Sequence, residues 1–262
     1  MLGSSSSADL PLKDQLLHVV GPEVNPIEVA ITVAQIIDAS VNADQVRREI
    51  RNLTEQVPKR NVSDLVASLR LQGFTGERRN LDPVDNSRID QALRYKTANP
   101  ITLAMVVIGV ARHLEIECHG INFPQHFLAQ LNGELIDPLQ MEIVTVSDLK
   151  SWARSHGIPH TNLFARASNV DIAIRMLNNV FAALEVRTNP LVALTILDYK
   201  ALLFPTQTEV LMERARVWLE VGEIGMAREL LGEALNSTSR DDIKERIRRR
   251  LVSLAPGNET IN

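Results

Sequence analysis

Residues 99–138 read NPITLAMVVIGVARHLEIECHGINFPQHFLAQLNGELIDP, and this stretch decides the fold that we predict for the chain. Asn99 suits the cap of a helix, and Pro100 suits its first position, where a missing N–H costs nothing. Positions 101–111 are apolar nearly all round, which is typical of a helix buried on every side, and the run is too short to span a bilayer. The stretch therefore predicts a buried helix followed by a strand and a hairpin.

The hairpin is marked by Asn132-Gly133, a pair suited to a type I′ turn because both positions need a positive φ. This turn predicts strands paired with Leu131 opposite Glu134. Because side chains alternate along a strand, His126 and Asp137 become diagonal neighbours on one face, with Cα atoms about 7–8 Å apart. A histidine oriented by an aspartate is the supporting half of a nucleophilic triad. A buried polar pair that satisfies its own hydrogen bonds is the structural alternative.

Four segments of the stretch, NPITLA, VARHL, GINFPQHFL and LIDP, resemble the SirB family of bacterial proteins. Members of that family join a transglutaminase-like core, a branch of the papain-like fold, to tetratricopeptide-type helices. The resemblance covers about Arg94 to Leu139. It implies that His126 is the catalytic histidine and Asp137 the catalytic aspartate of such a core. Many relatives carry glycine where this chain has Gln125.

The nucleophile of such a core is missing from its expected place. In active transglutaminases a cysteine begins the buried helix, where the helix dipole lowers its pKa. That place falls at Pro100 or Ile101, and neither side chain can attack a substrate. Thr102 is the nearest hydroxyl and a weak candidate, since it is more typical of an ordinary first turn. The sole cysteine, Cys118, follows on the predicted strand and is typical of a small buried hydrophobe, although strand alternation permits a meeting with His126.

The predicted fold class is α+β and mostly helical. A papain/transglutaminase-like core with a small antiparallel sheet is flanked by an N-terminal helical region and by C-terminal tetratricopeptide-like helical hairpins. We predict a disordered tail over 1–8, the N-terminal helices over 9–80, the core over 81–165 and the tetratricopeptide-like region over 166–262. Helix caps are predicted at Asn25, Ser63, Ser147 and Ser168, and a further helix is predicted to begin at Asn42 or Ala43.

The C-terminal region carries the pattern of one tetratricopeptide repeat, in which small residues let two helices approach closely around a turn at Gly222. The pattern is formed by Leu211, Ala215, Trp218, Ala227, Leu231 and Ala234. The last predicted helix, 241–254, is rich in cations: Lys244, Arg246, Arg248, Arg249 and Arg250. These could form a docking patch for an acidic partner, but the interleaved acidic residues favour a solvated helix face.

Composition excludes several classes of protein. The net charge of −4 and the low aromatic content of 4% argue against a general nucleic-acid binder. One cysteine leaves no intramolecular disulfide, and we find no signal peptide or membrane-spanning run, so we expect a cytoplasmic protein. The histidines form no compact metal-binding motif, and we expect no metal or cofactor.

Two functions from different classes follow. The first is a non-catalytic, regulatory protein that binds another protein or a peptide through a transglutaminase-like core without its nucleophile and a helical repeat scaffold. The second is an amide or ester hydrolase, or an acyl transferase, with His126 as general base, Asp137 as its orienting partner and water or Thr102 as the attacking group. We favour the first, because acyl transfer through a covalent intermediate needs an activated nucleophile.

Overall fold

A computed structural model of the protein describes residues 11–76, 82–159, 161–203 and 208–255. The described chain is mostly helical and contains a small antiparallel sheet, which confirms the predicted fold class. The tail predicted over 1–8 and the predicted boundary at 80–81 lie outside the described residues. Within the described ranges, no helix is both long enough and apolar enough to cross a membrane.

The chain divides into two compact units, the first up to Val180 and the second from Phe181. The helices of the first unit are α1 (Leu12–Val19), α2 (Pro26–Ile37), α3 (Ala43–Glu55), α4 (Val62–Leu71), α5 (Ile89–Tyr95), α6 (Pro100–His113), α7 (Val146–Ser155) and most of α8 (Asn169–Ala183). Its strands are β1 (Cys118–Ile121), β2 (Leu128–Leu131), β3 (Glu134–Asp137) and β4 (Glu142–Val144). They form one antiparallel sheet in the order β1-β2-β3-β4.

Helix α6 lies at the centre of the first unit, as its apolar sequence predicts. Every residue from Ile101 to Ala111 is buried, and the helix packs against α2, α3, α4 and α5 on some sides and against β1 and β2 on another. A helix that is apolar all round needs partners on every side, and these elements supply them. The predicted start is confirmed, since the Asn99 side chain accepts a hydrogen bond from the amide of Thr102 and Pro100 is the first helical residue.

The predicted hairpin and its register are confirmed. Leu131 pairs with Glu134 across the turn, and Ala129 pairs with Ile136. Asn132 and Gly133 have φ angles of 46° and 87°, the positive values that a type I′ turn requires. This register fixes which face of the sheet each side chain occupies.

The predicted caps at Asn25 and Ser168 are confirmed, and of the two starts left open for α3 the helix begins at Ala43 with Asn42 as its cap. Oxygen atoms of the Asn25, Asn42 and Ser168 side chains accept hydrogen bonds from main-chain amides of the first helical turns. The other two predictions are wrong by two residues.

Asn61, not Ser63, caps α4, because the helix begins at Val62 and the Val62 side chain is buried there. Thr145, not Ser147, caps α7, because the Thr145 hydroxyl and Asp148 bond reciprocally across the first turn.

The second unit contains α9 (Pro190–Leu203), α10 (Thr208–Glu220), α11 (Ile224–Ser237) and α12 (Asp241–Ser253). Helices α10 and α11 form a helical hairpin, and Gly222 in the link has a φ of +86°, a conformation that favours glycine. The buried core of the unit consists of Leu211, Ala215, Ala227, Leu231, Ala234, Ile243 and Ile247. The residues that carried the repeat pattern therefore lie mainly in this core, whereas the tetratricopeptide assignment stays a prediction.

Candidate functional site

His126 and Asp137 are hydrogen-bonded, with 3.1 Å between Nε2 of the histidine and Oδ1 of the aspartate. Both side chains are largely buried, with 16% of the histidine and 21% of the aspartate exposed. Asp137 is the last residue of β3, and His126 lies two residues before β2. The structure thus brings together the two residues that the hairpin register predicts as diagonal neighbours. Their catalytic roles stay predictions.

A tight turn presents His126 at the start of β2. The amide of His126 donates a hydrogen bond to the carbonyl oxygen of Phe123 at 3.1 Å, which closes a four-residue turn with Pro124 in its second position. Gln125, in the third position, has a φ of +59° and is exposed. A turn with proline second and a positive φ third is of type II, where glycine is favoured. This geometry gives a physical reason for the glycine expected at that position in relatives.

The surroundings of Asp137 keep its carboxylate ionised. Burial alone would raise the pKa of Asp137, but the hydrogen bond and charge of His126 and the amides of Leu139 and Gln140 outweigh burial and lower that pKa. The Leu139 amide lies 2.9 Å from Oδ1, the same oxygen that faces His126. Because an ionised carboxylate only accepts hydrogen bonds, Nε2 of His126 carries the proton in this pair. In the neutral ring, Nδ1 is then the nitrogen left to act as a base or as a hydrogen-bond acceptor.

Arg175 on α8 fastens the loop that carries His126. Its Nη2 donates to the carbonyl oxygens of His126 at 2.7 Å and of Phe123 at 3.2 Å, and its Nη1 donates to Oδ1 of Asn122 at 3.2 Å. Burial of Arg175 lowers the pKa of its guanidinium, which is nonetheless charged at every physiological pH. Sequence reasoning missed this residue, because a single arginine within an amphipathic helix carries no signal of what it will contact.

Phe127 supports the same loop from the sheet. A Cβ placed on Gly120 of β1 would lie 2.6 Å from Cζ of Phe127, so the ring packs directly against the glycine backbone. The guanidinium of Arg175 lies 5.6 Å from the centre of the Phe127 ring. Phe127, the residue after His126, is therefore held between the backbone of Gly120 and the guanidinium of Arg175.

The start of α6 offers no reactive side chain. Asn99 is tied to the segment before it, since its amide donates to the carbonyl oxygen of Asn86 and its side chain donates to the hydroxyl of Ser87, each at 3.0 Å. Thr102 is fully buried, and its hydroxyl has no hydrogen-bond partner within the described part of the chain. No base from the described residues is therefore in place to activate Thr102.

Cys118 lies far from His126. Its Sγ is 3.8 Å from the carbonyl oxygen of Ile108, more than two turns along α6 from Pro100. On the sheet it pairs with Leu131, the end of β2 away from His126, so the length of β2, about 10 Å, separates it from the turn that carries His126. Burial raises the pKa of the Cys118 thiol, which makes it a poor nucleophile.

No group of three histidine, cysteine, aspartate or glutamate side chains that could hold a metal ion occurs among the residues with described positions. His160, one of the histidines weighed for such a motif, lies outside them. The candidate site is therefore the His126–Asp137 pair with its supporting contacts.

The chain is similar in sequence to known proteins. A family model described as the transglutaminase-like superfamily matches residues 37–178. The UPF0162 protein of Xylella fastidiosa (strain 9a5c) is 29% identical over 201 residues, which cover 72% of this chain and 71% of that protein. UPF0162 protein YchA of Escherichia coli (strain K12) is 22% identical over 192 residues, covering 70% and 71%. No solved structure matches significantly.

Proposed function

Because this chain belongs to the transglutaminase-like superfamily, we propose that it keeps the His–Asp pair of that fold without the nucleophile and acts as a non-catalytic, regulatory protein. In this proposal it binds another protein or a peptide, and the helices of the second unit form a tetratricopeptide-like scaffold. The narrower relationship to the SirB family and a cytoplasmic location belong to the same proposal.

The start of α6 carries this proposal. Pro100 and Ile101 occupy the place where the superfamily's cysteine is expected, and Thr102, the next residue, is buried without a base. Acyl transfer through a covalent intermediate needs an activated nucleophile, and these three residues supply none. Cys118 cannot substitute for it, because it lies at the other end of β2 from His126.

The retained pair supports a binding role as well as a catalytic one. A histidine with a partly exposed ring, fixed by an ionised aspartate and a loop anchored by Arg175, can donate or accept a hydrogen bond in one defined direction. Pre-organised polar groups of this kind give specificity to a binding surface.

A second candidate function rests on Nδ1 of His126. Since Nε2 is engaged by Asp137, Nδ1 is free of partners within the described chain and could take a proton from water. The chain would then be an amide or ester hydrolase, with Asp137 orienting the base. The burial of Thr102 makes water the more suitable attacking group of the two.

Turnover assays with the wild-type protein and His126→Ala separate these candidates. We expect no incorporation of a fluorescent primary amine into glutamine-containing casein, and equal background hydrolysis of a p-nitrophenyl ester by both proteins. A rate that depends on His126 would overturn the non-catalytic proposal and support the hydrolase.

Site-specific cross-linking tests the binding half of the proposal. A photo-reactive phenylalanine analogue replaces exposed Gln125, beside the pair, or exposed Glu55 on α3 as a matched control. In a bacterial extract we expect a discrete adduct from position 125 that is absent from position 55. Identical adducts from both positions would contradict binding at the pair.

A further inference from the structure

A groove of about 480 Å³ runs between α10 and α12 in the second unit, and its floor is apolar. Ala215, Leu231 and Ile247 are buried beneath it, and the partly exposed Met212 and Leu219 form its α10 side. Apolar side chains of a partner can pack on such a floor, because contact removes apolar surface of both proteins from water.

Arginines surround this floor. Arg216 comes from α10, and Arg246, Arg249 and Arg250 come from α12. The three on α12 are spaced three and four residues apart, so they share one face of the helix. One cationic face of the last helix therefore borders an apolar groove.

These arginines are only partly neutralised by the chain itself. Arg249 pairs with Glu245 at 3.0 Å, and Arg216 lies 4.0 Å from Glu220. Among the described residues, the only hydrogen-bond partner of the Arg246 guanidinium is the sulfur of Met212, at 3.8 Å. In the described parts of the chain, no carboxylate lies within 4.0 Å of Arg246 or Arg250. The groove is thus locally positive in a chain whose net charge is −4.

We propose that this groove binds an acidic, amphipathic helical segment of a partner protein. Apolar side chains of that segment would lie on the floor, and its carboxylates would meet the planar guanidinium groups, which bind carboxylates through two hydrogen bonds at once. The inference rests on the proposed function, because it names the chemistry of the partner that a binding protein would need.

Other acidic ligands fit the groove less well. None of the described residues that line it is aromatic, so nucleic-acid bases would find no surface on which to stack. A lipid bilayer binds an apolar face that projects from the protein, whereas here the apolar residues form the floor and the cations form the rim.

The test uses the full chain and a synthetic peptide of about 18 residues, in which leucines at helical spacing alternate with glutamates. A matched peptide carries glutamine at every glutamate. Binding of both fluorescein-labelled peptides is followed by fluorescence anisotropy in two salt concentrations. The groove variant is Arg246→Glu/Arg250→Glu, and the control is Lys244→Glu/Arg248→Glu, which makes the same charge change on the same helix outside the groove.

We expect the acidic peptide to bind at least about tenfold more tightly than the glutamine peptide, and salt to weaken its binding. The groove variant should lose about tenfold in affinity, and the control less than about threefold. Circular dichroism spectra of both variants check that their helix content equals that of the wild-type protein.

Equal binding of the two peptides, or equal losses in the two variants, would overturn the inference. A third outcome would also overturn it: neither peptide binds, but the wild-type protein sediments with phosphatidylserine vesicles and the groove variant does not. The groove would then be a membrane contact. Failure of the proposed function is seen separately, as a turnover rate that depends on His126.

Discussion

Arg175 and His126 are joined by a hydrogen bond of 2.7 Å between Nη2 of the arginine and the main-chain carbonyl oxygen of the histidine. The two residues are 49 positions apart in the chain. Since the same guanidinium also holds Phe123 and Asn122, helix α8 positions the loop that carries the candidate site. His126 is thus oriented twice, through its ring by Asp137 and through its backbone by Arg175.

Replacing Arg175 should loosen this loop. We expect Arg175→Met to lower the free energy of unfolding by about 2–3 kcal/mol, because it leaves the carbonyl oxygen of His126 without its donor and the carbonyl oxygen of Phe123 with one donor in place of two. Urea unfolding measures the loss, and the imidazole nitrogen signals of His126 in NMR spectra should shift. The stability of Arg175→Lys should fall between those of the wild type and Arg175→Met, because lysine keeps the charge but lacks the planar guanidinium with its several donors.

The matched control is Arg166→Met, which removes an arginine side chain that is 61% exposed. This change should alter stability by less than about 0.5 kcal/mol. An equal loss in Arg166→Met and Arg175→Met, with unchanged His126 signals, would show that Arg175 does not position the loop.

The His126–Asp137 pair should make stability depend on acid. The folded protein lowers the pKa of Asp137 below its ordinary value of 3.8, so the pair stabilises the fold above that value and loses its effect as the pH falls through the lowered pKa. Asp137→Asn should therefore cost about 1–2 kcal/mol at pH 6 and clearly less near pH 3. Urea unfolding at both pH values measures the difference.

Asp44→Asn serves as the control for that measurement, because its side chain is 76% exposed and its ion pair with Arg47 contributes little. A difference between wild type and Asp137→Asn that is the same at pH 3 and pH 6 would contradict the lowered pKa.

Restoring a thiol tests whether the start of α6 keeps the arrangement of the superfamily. In a Cys118→Ala background, Pro100→Cys should react with iodoacetamide at pH 6 about tenfold faster than a thiol at exposed Glu55, because a helix N-terminus lowers the pKa of a thiol. Adding His126→Ala should slow this reaction if the histidine faces the thiol. Mass spectrometry measures the alkylation rate. A rate equal to that of Glu55→Cys would contradict activation of a thiol at the start of α6.

The substitutions that position 125 tolerates should be set by its backbone conformation rather than by its side-chain contacts. Its φ of +59° disfavours a β-branched residue, so Gln125→Val should destabilise the protein by about 1–2 kcal/mol. Gln125→Gly should cost nothing or stabilise the fold, because glycine adopts this conformation freely. Thermal unfolding compares the two variants, and equal stability would show that the turn does not constrain this position.

Much of the fold follows from interactions between neighbouring residues. Asn99 and Pro100 begin α6 because the cap and the fixed φ act within one turn, and the apolar run that follows predicts its burial. Asn132 and Gly133 define the hairpin because few residues adopt two successive positive φ angles. The predicted caps at Ser63 and Ser147 are wrong because each segment offers two residues that can cap a helix, one on either side of a valine, and packing selects between them.

The sequence by itself determined the buried helix, the hairpin register and therefore the meeting of His126 with Asp137, because each depends on spacing along a short segment. The tertiary structure decided the contacts that no spacing encodes. It placed Arg175 against the loop that carries His126 and set the arginines of α12 around an apolar groove. It also paired Cys118 of β1 with Leu131, at the end of β2 away from His126. These contacts join residues distant in the chain, and their partners are settled only when the helices and strands pack together.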